Sequence, residues 1–298
     1  TWDVVTGGSG TLNEGRHEFI EGNVYATETG RALYFVGGGK PWELKADGTL
    51  SEMTNAAAGA KFIALHQNHL MIGFDAGSLQ FSGPGTPNVW DASTGGAGEI
   101  GIGQALTGLI EGRGEVLHIG CRDSMKGLYG TSAPNFQLKT TLPASGCKPY
   151  SLQAMTQPFF VAERGITNLQ ASDEFGDFTP LQAGSQIEPL FTYQGYSTRV
   201  VATVTSKKTS QYRVFFDDKT GVYYSPTGIT TVEFLDQVSV TDAAEMDSGE
   251  EVVLIGDDAG NVHRLDNGAQ SFNGTAIRAF ASVAYTDLKS PNVRKRYR

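Results

Sequence analysis

Two histidines three residues apart, in Ala64-Leu65-His66-Gln67-Asn68-His69-Leu70, have the residue type and spacing that could hold a metal. On a helix that spacing puts both imidazoles on one face. Here the apolar runs Phe62–Leu65 and Leu70–Phe74 flank Gln67-Asn68 and make it the tip of a hairpin. A metal would need further ligands than this pair, so a plain turn is expected. Asp217-Asp218-Lys219-Thr220-Gly221 and Asp257-Asp258-Ala259-Gly260-Asn261 look superficially like calcium loops. Neither has the alternating ligands and closing glutamate that such a loop uses, and both sit between strands, so they read as hairpin turns. Cys147, in Ser145-Gly146-Cys147-Lys148-Pro149, has no histidine near it in sequence, and no Gly-x-Ser-x-Gly elbow occurs. Gly101-Ile102-Gly103 lacks the helix and lysine of a phosphate loop, and the pairs Glu250-Glu251 and Asp257-Asp258 adjoin turns. No catalytic, cofactor or metal site is therefore expected, and the chain is not expected to be an enzyme.

The elements around these residues repeat. An apolar strand, a turn rich in glycine and charged residues, and a second strand carrying aromatic or leucine residues recur six times. The pairs are Ala32–Val36 with Trp42–Leu44, Leu70–Phe74 with Leu79–Phe81, and Val116–Gly120 with Gly127–Tyr129. They continue as Phe159–Ala162 with Ile166–Leu169, Tyr212–Phe216 with Val222–Tyr224, and Val252–Ile255 with Asn261–Leu265. The mean period is about 44 residues, the length of a four-stranded propeller blade. An all-β fold, a β-propeller of six blades, is predicted, with a seventh partial blade as the alternative. Strand-like segments at Asn23–Ala26 and Ala276–Thr286 are expected to complete one blade from both ends. The propeller is assigned to residues 1–285. The 53 residues between the fourth and fifth copies leave room for an extra strand or loop. Val89-Trp90-Asp91 contains the dipeptide of WD40 blades and Gly37-Gly38-Gly39 with Trp42 echoes a kelch blade, but neither recurs.

Composition agrees. Glycine accounts for 38 residues, about 13% against a usual value of about 7%, and it is scattered between short apolar runs as turns are. A net charge of −9 disfavours nucleic-acid binding for most of the chain. The exception is the basic C-terminal segment, residues 286–298, where Arg294, Lys295 and Arg296 are candidate interface residues. Cys121 and Cys147 are expected to be free thiols, since two cysteines make no disulfide framework. No signal peptide or membrane-spanning run is visible, and the opening Thr1 is expected to mark a trimmed chain.

Several phrases, taken in order, resemble propeller proteins of short-tailed bacteriophages, the hub or packaged-DNA stabilisation proteins and the related nozzle (tail tubular) proteins. They are Asn68-His69-Leu70-Met71-Ile72 followed by Pro87-Asn88-Val89-Trp90, then Ser145-Gly146-Cys147-Lys148-Pro149-Tyr150-Ser151. Phe159-Phe160-Val161-Ala162, Arg164-Gly165-Ile166, Phe175-Gly176-Asp177-Phe178, Tyr212-Arg213-Val214-Phe215-Phe216 and Ser290-Pro291 before Arg294-Lys295-Arg296 continue the series. The resemblance spans about residues 60–298 and implies a structural virion component without catalytic residues or cofactors. Its implied setting is the phage tail, assembled in the host cytoplasm as a homo-oligomeric ring that continues the portal channel. The implied partners are other tail subunits, portal or adaptor proteins, and genomic DNA that passes through rather than being bound sequence-specifically; no membrane partner is implied. The basic segment would lead out of the propeller to dock on a neighbouring subunit. A ligand- or glycan-binding propeller, including a hydrolase, is the competing reading.

Overall fold

The computed structural model describes residues 12, 15–27, 30–93, 96–112, 115–171, 178–183, 185–246, 248–269, 271–272 and 274–277. Each pair of strands legible in the sequence forms the second and third strands of a small antiparallel sheet. Blade 1 contains β1 (Glu18–Gly22), β2 (Ala32–Val36), β3 (Trp42–Lys45) and β4 (Leu50–Glu52). Blade 2 contains β5 (Phe62–His66), β6 (His69–Phe74), β7 (Ser78–Phe81) and β8 (Gly98–Gly101). Blade 3 contains β9 (Leu106–Glu111), β10 (Leu117–Cys121), β11 (Met125–Tyr129) and β12 (Gln137–Leu142). Blade 4 contains β13 (Gln153–Ala154), β14 (Pro158–Ala162), β15 (Gly165–Ala171) and β16 (Phe178–Gln182). Blade 5 contains β17 (Val200–Ser206), β18 (Gln211–Phe216), β19 (Thr220–Ser225) and β20 (Gly228–Glu233). Blade 6 has three described strands, β21 (Val238–Glu245), β22 (Glu251–Asp257) and β23 (Val262–Leu265). The first strands of successive blades lie side by side, and the six sheets form a ring, a six-blade β-propeller.

A strand alternates its side chains between faces, so a blade between two neighbours must be apolar on both. β6 shows this. Leu70 and Ile72 enter the core shared with Tyr34 and Val36 of blade 1, while Met71 joins Leu117 and Ile119 of blade 3 on the opposite face. The seam between blades 3 and 4 holds Met125, Cys147 and Phe160, and that between blades 4 and 5 holds Phe159, Val161, Tyr212 and Val214. Full burial of one such side chain stabilises the fold by about 1.5–3 kcal/mol.

The acidic turns have a common task. In blade 2, Asp75, in the turn after β6, pairs with Lys61, just ahead of β5. Glu163 pairs with Lys148 in blade 4, and Asp217 with Arg199 in blade 5 at 2.6 Å. In blade 6, Asp258 accepts from the Gln237 backbone N–H at 3.2 Å. Each turn thus fastens the start of its own blade's innermost strand at the same end of the blade. These pairs are largely exposed, so each contributes at most about 1 kcal/mol.

The long interval between the fourth and fifth copies is filled by β16, two 3₁₀ turns (Ser185–Ile187 and Tyr196–Thr198) and the short helix α1 (Glu188–Thr192). One expected strand assignment needs correction, and most of a second lies outside the described residues. Asn23–Ala26 is a turn that follows β1, closed by Ala26 N–H to Asn23 O at 3.3 Å and by the Asn23 amide donating to Thr27 O at 2.6 Å. The asparagine side chain takes a local carbonyl, and Ala26 has φ 52°, which no ladder accepts. Near the other terminus, Ser271–Phe272 pairs with Thr275–Ala276 as a two-stranded hairpin, and residues 278–286 lie outside the described residues. The chain divides into two compact units, Thr1–Leu265 and Asp266–Arg298. Among the described residues, no helix is long and apolar enough to cross a membrane.

Candidate functional site

His66 and His69 are cross-strand partners at the ends of β5 and β6, around a turn whose Gln67 and Asn68 have φ of 49° and 61°. Both are buried. His69 Nδ1 lies 2.5 Å from the Ser82 carbonyl, and His66 Nδ1 lies 3.4 Å from Glu111 Oε1. Phe136 covers both rings, with centroids at 5.9 and 5.4 Å. Burial lowers the His69 pKa, opposed by its bond to Ser82. Among the described residues, no cluster of three or more potential metal ligands occurs.

The acidic loops hold their own backbone. Asp218 accepts from Tyr196 Oη at 2.6 Å and from Thr220 Oγ1 at 2.5 Å. Asp257 accepts from the Ala259 and Asn261 amides and lies 2.7 Å from His263 Nε2. The His263 contact first, then the Asn261 amide, hold the Asp257 carboxyl at about 2. Glu251 takes Ser206 Oγ at 2.7 Å and the Lys207 and Lys208 amides, joining blade 6 to blade 5. Cys121 and Cys147 are free and buried on either side of one backbone bond, Cys147 N–H to Cys121 O at 2.9 Å. Burial pushes the Cys147 thiol up to about 12. Gly146 beside it is sterically required, because a Cβ there would lie 1.7 Å from the Arg122 carbonyl oxygen. Trp90 packs against the core between blades 1 and 2. Arg294, Lys295 and Arg296 lie outside the described residues.

The cavity that gathers convergent polar groups is one that no sequence motif announced. It is the propeller channel, about 640 Å³, lined by the first strands of all six blades and extending along the face of blade 6 that carries Val240, Leu254 and Val262. That volume falls in the ~300–1,000 Å³ range of small-molecule sites. Blades 1 to 3 contribute Ile20, Ile63, Leu65 and Leu109 to its wall. The opposite wall is polar and cross-linked: Thr203 Oγ1 donates to Tyr150 O at 2.9 Å, while Gln153 and Thr241 both donate to Thr203 O, at 3.1 and 2.8 Å.

The lead-in to β1 crosses this cavity. Arg16 stacks 3.8 Å above the Tyr150 ring of the segment before β13 and donates to Val201 O of β17 at 2.7 Å. Blade 1 is thereby tied to blades 4 and 5 across the ring. Glu18, two residues on, is half-buried in the wall. Desolvation raises its carboxyl to about 7 even though the Arg16 charge and the Ile63 amide pull the other way. Asp242, on β21, accepts from the Ala243 amide at 2.8 Å and has no ion-pair partner among the described residues. Loss of solvent raises its carboxyl as well. The repeat begins with the second strand of each blade, so Arg16-His17-Glu18 carried no signal in the sequence.

No family model matches the chain, and no curated protein matches it. Solved structures do. BBS1N in complex with ARL6DN superposes with a TM-score of 0.52 at 13% identity, over 80% of this chain and 76% of that one. Raptor from Chaetomium thermophilum gives 0.56 at 9% identity, over 86% of this chain and 25% of Raptor. Catalytically inactive virginiamycin B lyase from Staphylococcus aureus, with quinupristin, gives 0.53 at 11% identity, over 84% and 88%. The chain thus corresponds to a quarter of the Raptor chain. These likenesses concern the fold alone: proteins of different kinds share this ring.

Proposed function

We propose that the protein is a non-catalytic propeller scaffold and, more finely, a structural subunit of a short-tailed phage tail. The observation that carries the scaffold reading is what the chemistry-bearing side chains do. Asp75, Glu163 and Asp217 fasten the innermost strands, Glu251 joins two blades, and the histidine pair seals a hairpin under Phe136. These residues of catalytic type are committed to holding the ring. The phage assignment rests on the ordered phrases from Asn68 to Arg296. A cavity of about 640 Å³ suits a small molecule and not a duplex, so in this reading DNA passes between subunits of the assembled ring and not through the propeller. The basic residues Arg294, Lys295 and Arg296 serve the contact with a neighbouring subunit.

The test is co-expression of the protein with the portal and tail proteins encoded beside it, followed by native mass measurement and electron microscopy. Ring-shaped complexes containing the chain, weakened by alanine at Arg294, Lys295 and Arg296, are expected. A chain that stays monomeric and is missing from purified particles would refute the tail assignment and leave the scaffold reading intact.

A further inference from the structure

Blade 6 turns toward the channel a face unlike the others. Val240, Leu254 and Val262 lie together on it, since Val240 and Val262 both oppose Gly256 and Leu254 opposes Asp242. Phe19 of β1 also lines the same cavity. These four are 42%, 37%, 56% and 50% exposed in that order, whereas Met71, Leu117 and Ile119 in the seam between blades 2 and 3 are inaccessible. Large apolar side chains left open in a concave space, with a few polar groups converging on it, mark a ligand site more often than a packing defect.

The charge of the wall then selects the ligand. Four carboxylates line the cavity: Glu18, Glu21, Glu111 and Asp242. Three are answered from within the protein. Glu21 pairs with Arg31 at 2.5 Å, Glu111 lies beside His66, and Glu18 lies in the field of Arg16. Among the described residues Asp242 has only a backbone amide, and it sits on the apolar face beside Leu254. We propose that this cavity binds a small amphiphilic organic cation, its ammonium against Asp242 and its hydrocarbon or aromatic body against Phe19, Val240, Leu254 and Val262. A bare metal ion fits poorly, because a hard cation needs about six or more oxygens and this face supplies one carboxylate. An organic cation needs one, and the Phe19 ring adds an attractive face. An anion would meet Asp242 at the apolar end and, at the other, an Arg16 already stacked and bonded. The site is independent of any role in a tail.

Three probes with one skeleton separate charge from shape: tryptamine, tryptophol and indole-3-acetate, titrated calorimetrically into the full chain at pH 8. Tryptamine is expected to bind about tenfold more tightly than tryptophol, the size of one partly desolvated charge-assisted bond, and indole-3-acetate most weakly. Asp242→Asn should remove that preference without lowering the melting temperature, while Phe19→Ala and Val262→Ala should weaken all three probes alike. Equal binding of the three, no binding of any, or a preference that survives Asp242→Asn would overturn the proposal.

Discussion

Glu18 and His118 couple stability to pH with opposite signs. The folded protein holds the Glu18 proton up to about 7, against an ordinary value of 4.5. Between those values the folded state keeps a proton that the unfolded state has lost, so stability falls as pH rises through that window and levels off above it. His118 is buried, and desolvation pushes it down to about 4 from an ordinary value of 6.5. There the unfolded state takes up the proton first, so stability falls as pH drops from about 6.5 to about 4. Glu18→Gln is expected to raise the melting temperature at pH 8 by a few degrees, for on the order of 1–3 kcal/mol. At pH 4 it should leave that temperature unchanged, and the acid-side loss from His118 should persist in the variant. Thermal unfolding at the two pH values checks this, and an equal effect at both would show that Glu18 does not titrate in this range.

Strands and turns contribute to the ring on different scales. Ile72, at the centre of β6, is fully inaccessible in the seam between blades 1 and 2. Ile72→Ala should cost about 2–5 kcal/mol, because the rigid strands on either side cannot collapse into the space. Asp217→Ala breaks an exposed pair with Arg199 and should cost at most about 1 kcal/mol. Urea denaturation of the two variants gives the comparison directly; a loss at Asp217 equal to that at Ile72 would mean that the turn clamps, and not the apolar seams, dominate. The elements themselves were legible to a good degree. Runs such as Phe159-Phe160-Val161-Ala162 read as strands because both faces of a blade are buried, and glycine-bearing turns such as Asp257–Gly260 ended them. Asn23–Ala26 misled because valine and tyrosine favour strands, while the neighbouring asparagine amide made a better local bond to Thr27 O.

At the scale of the whole molecule, the two thiols report on the integrity of the ring. Cys121 belongs to the core between blades 2 and 3, Cys147 to that between blades 3 and 4, and neither is reachable without separating blades. A disulfide-exchange reagent should label neither in the native protein and both after unfolding. The labelling rate should rise with urea along the slope of global unfolding, as expected of groups exposed only by opening of the ring. Fast labelling of Cys147 in the native state would mean that blades 3 and 4 part locally.

The sequence by itself determined the all-β class, the six repeats and the structural use of the acidic turns. These follow from local rules: side-chain alternation, turn chemistry and a period of about 44 residues that persists along the chain. Tertiary structure alone decided the cavity. Arg16, Glu18, Tyr150 and Asp242 come from separate blades, and no spacing links positions 16, 150 and 201, which meet only when the ring closes. Likewise Val262 belongs to a strand legible in the sequence, and only the arrangement of blade 6 leaves it and Val240 exposed. Chain-local signals record which face of a strand is apolar; closure of the ring decides what that face meets.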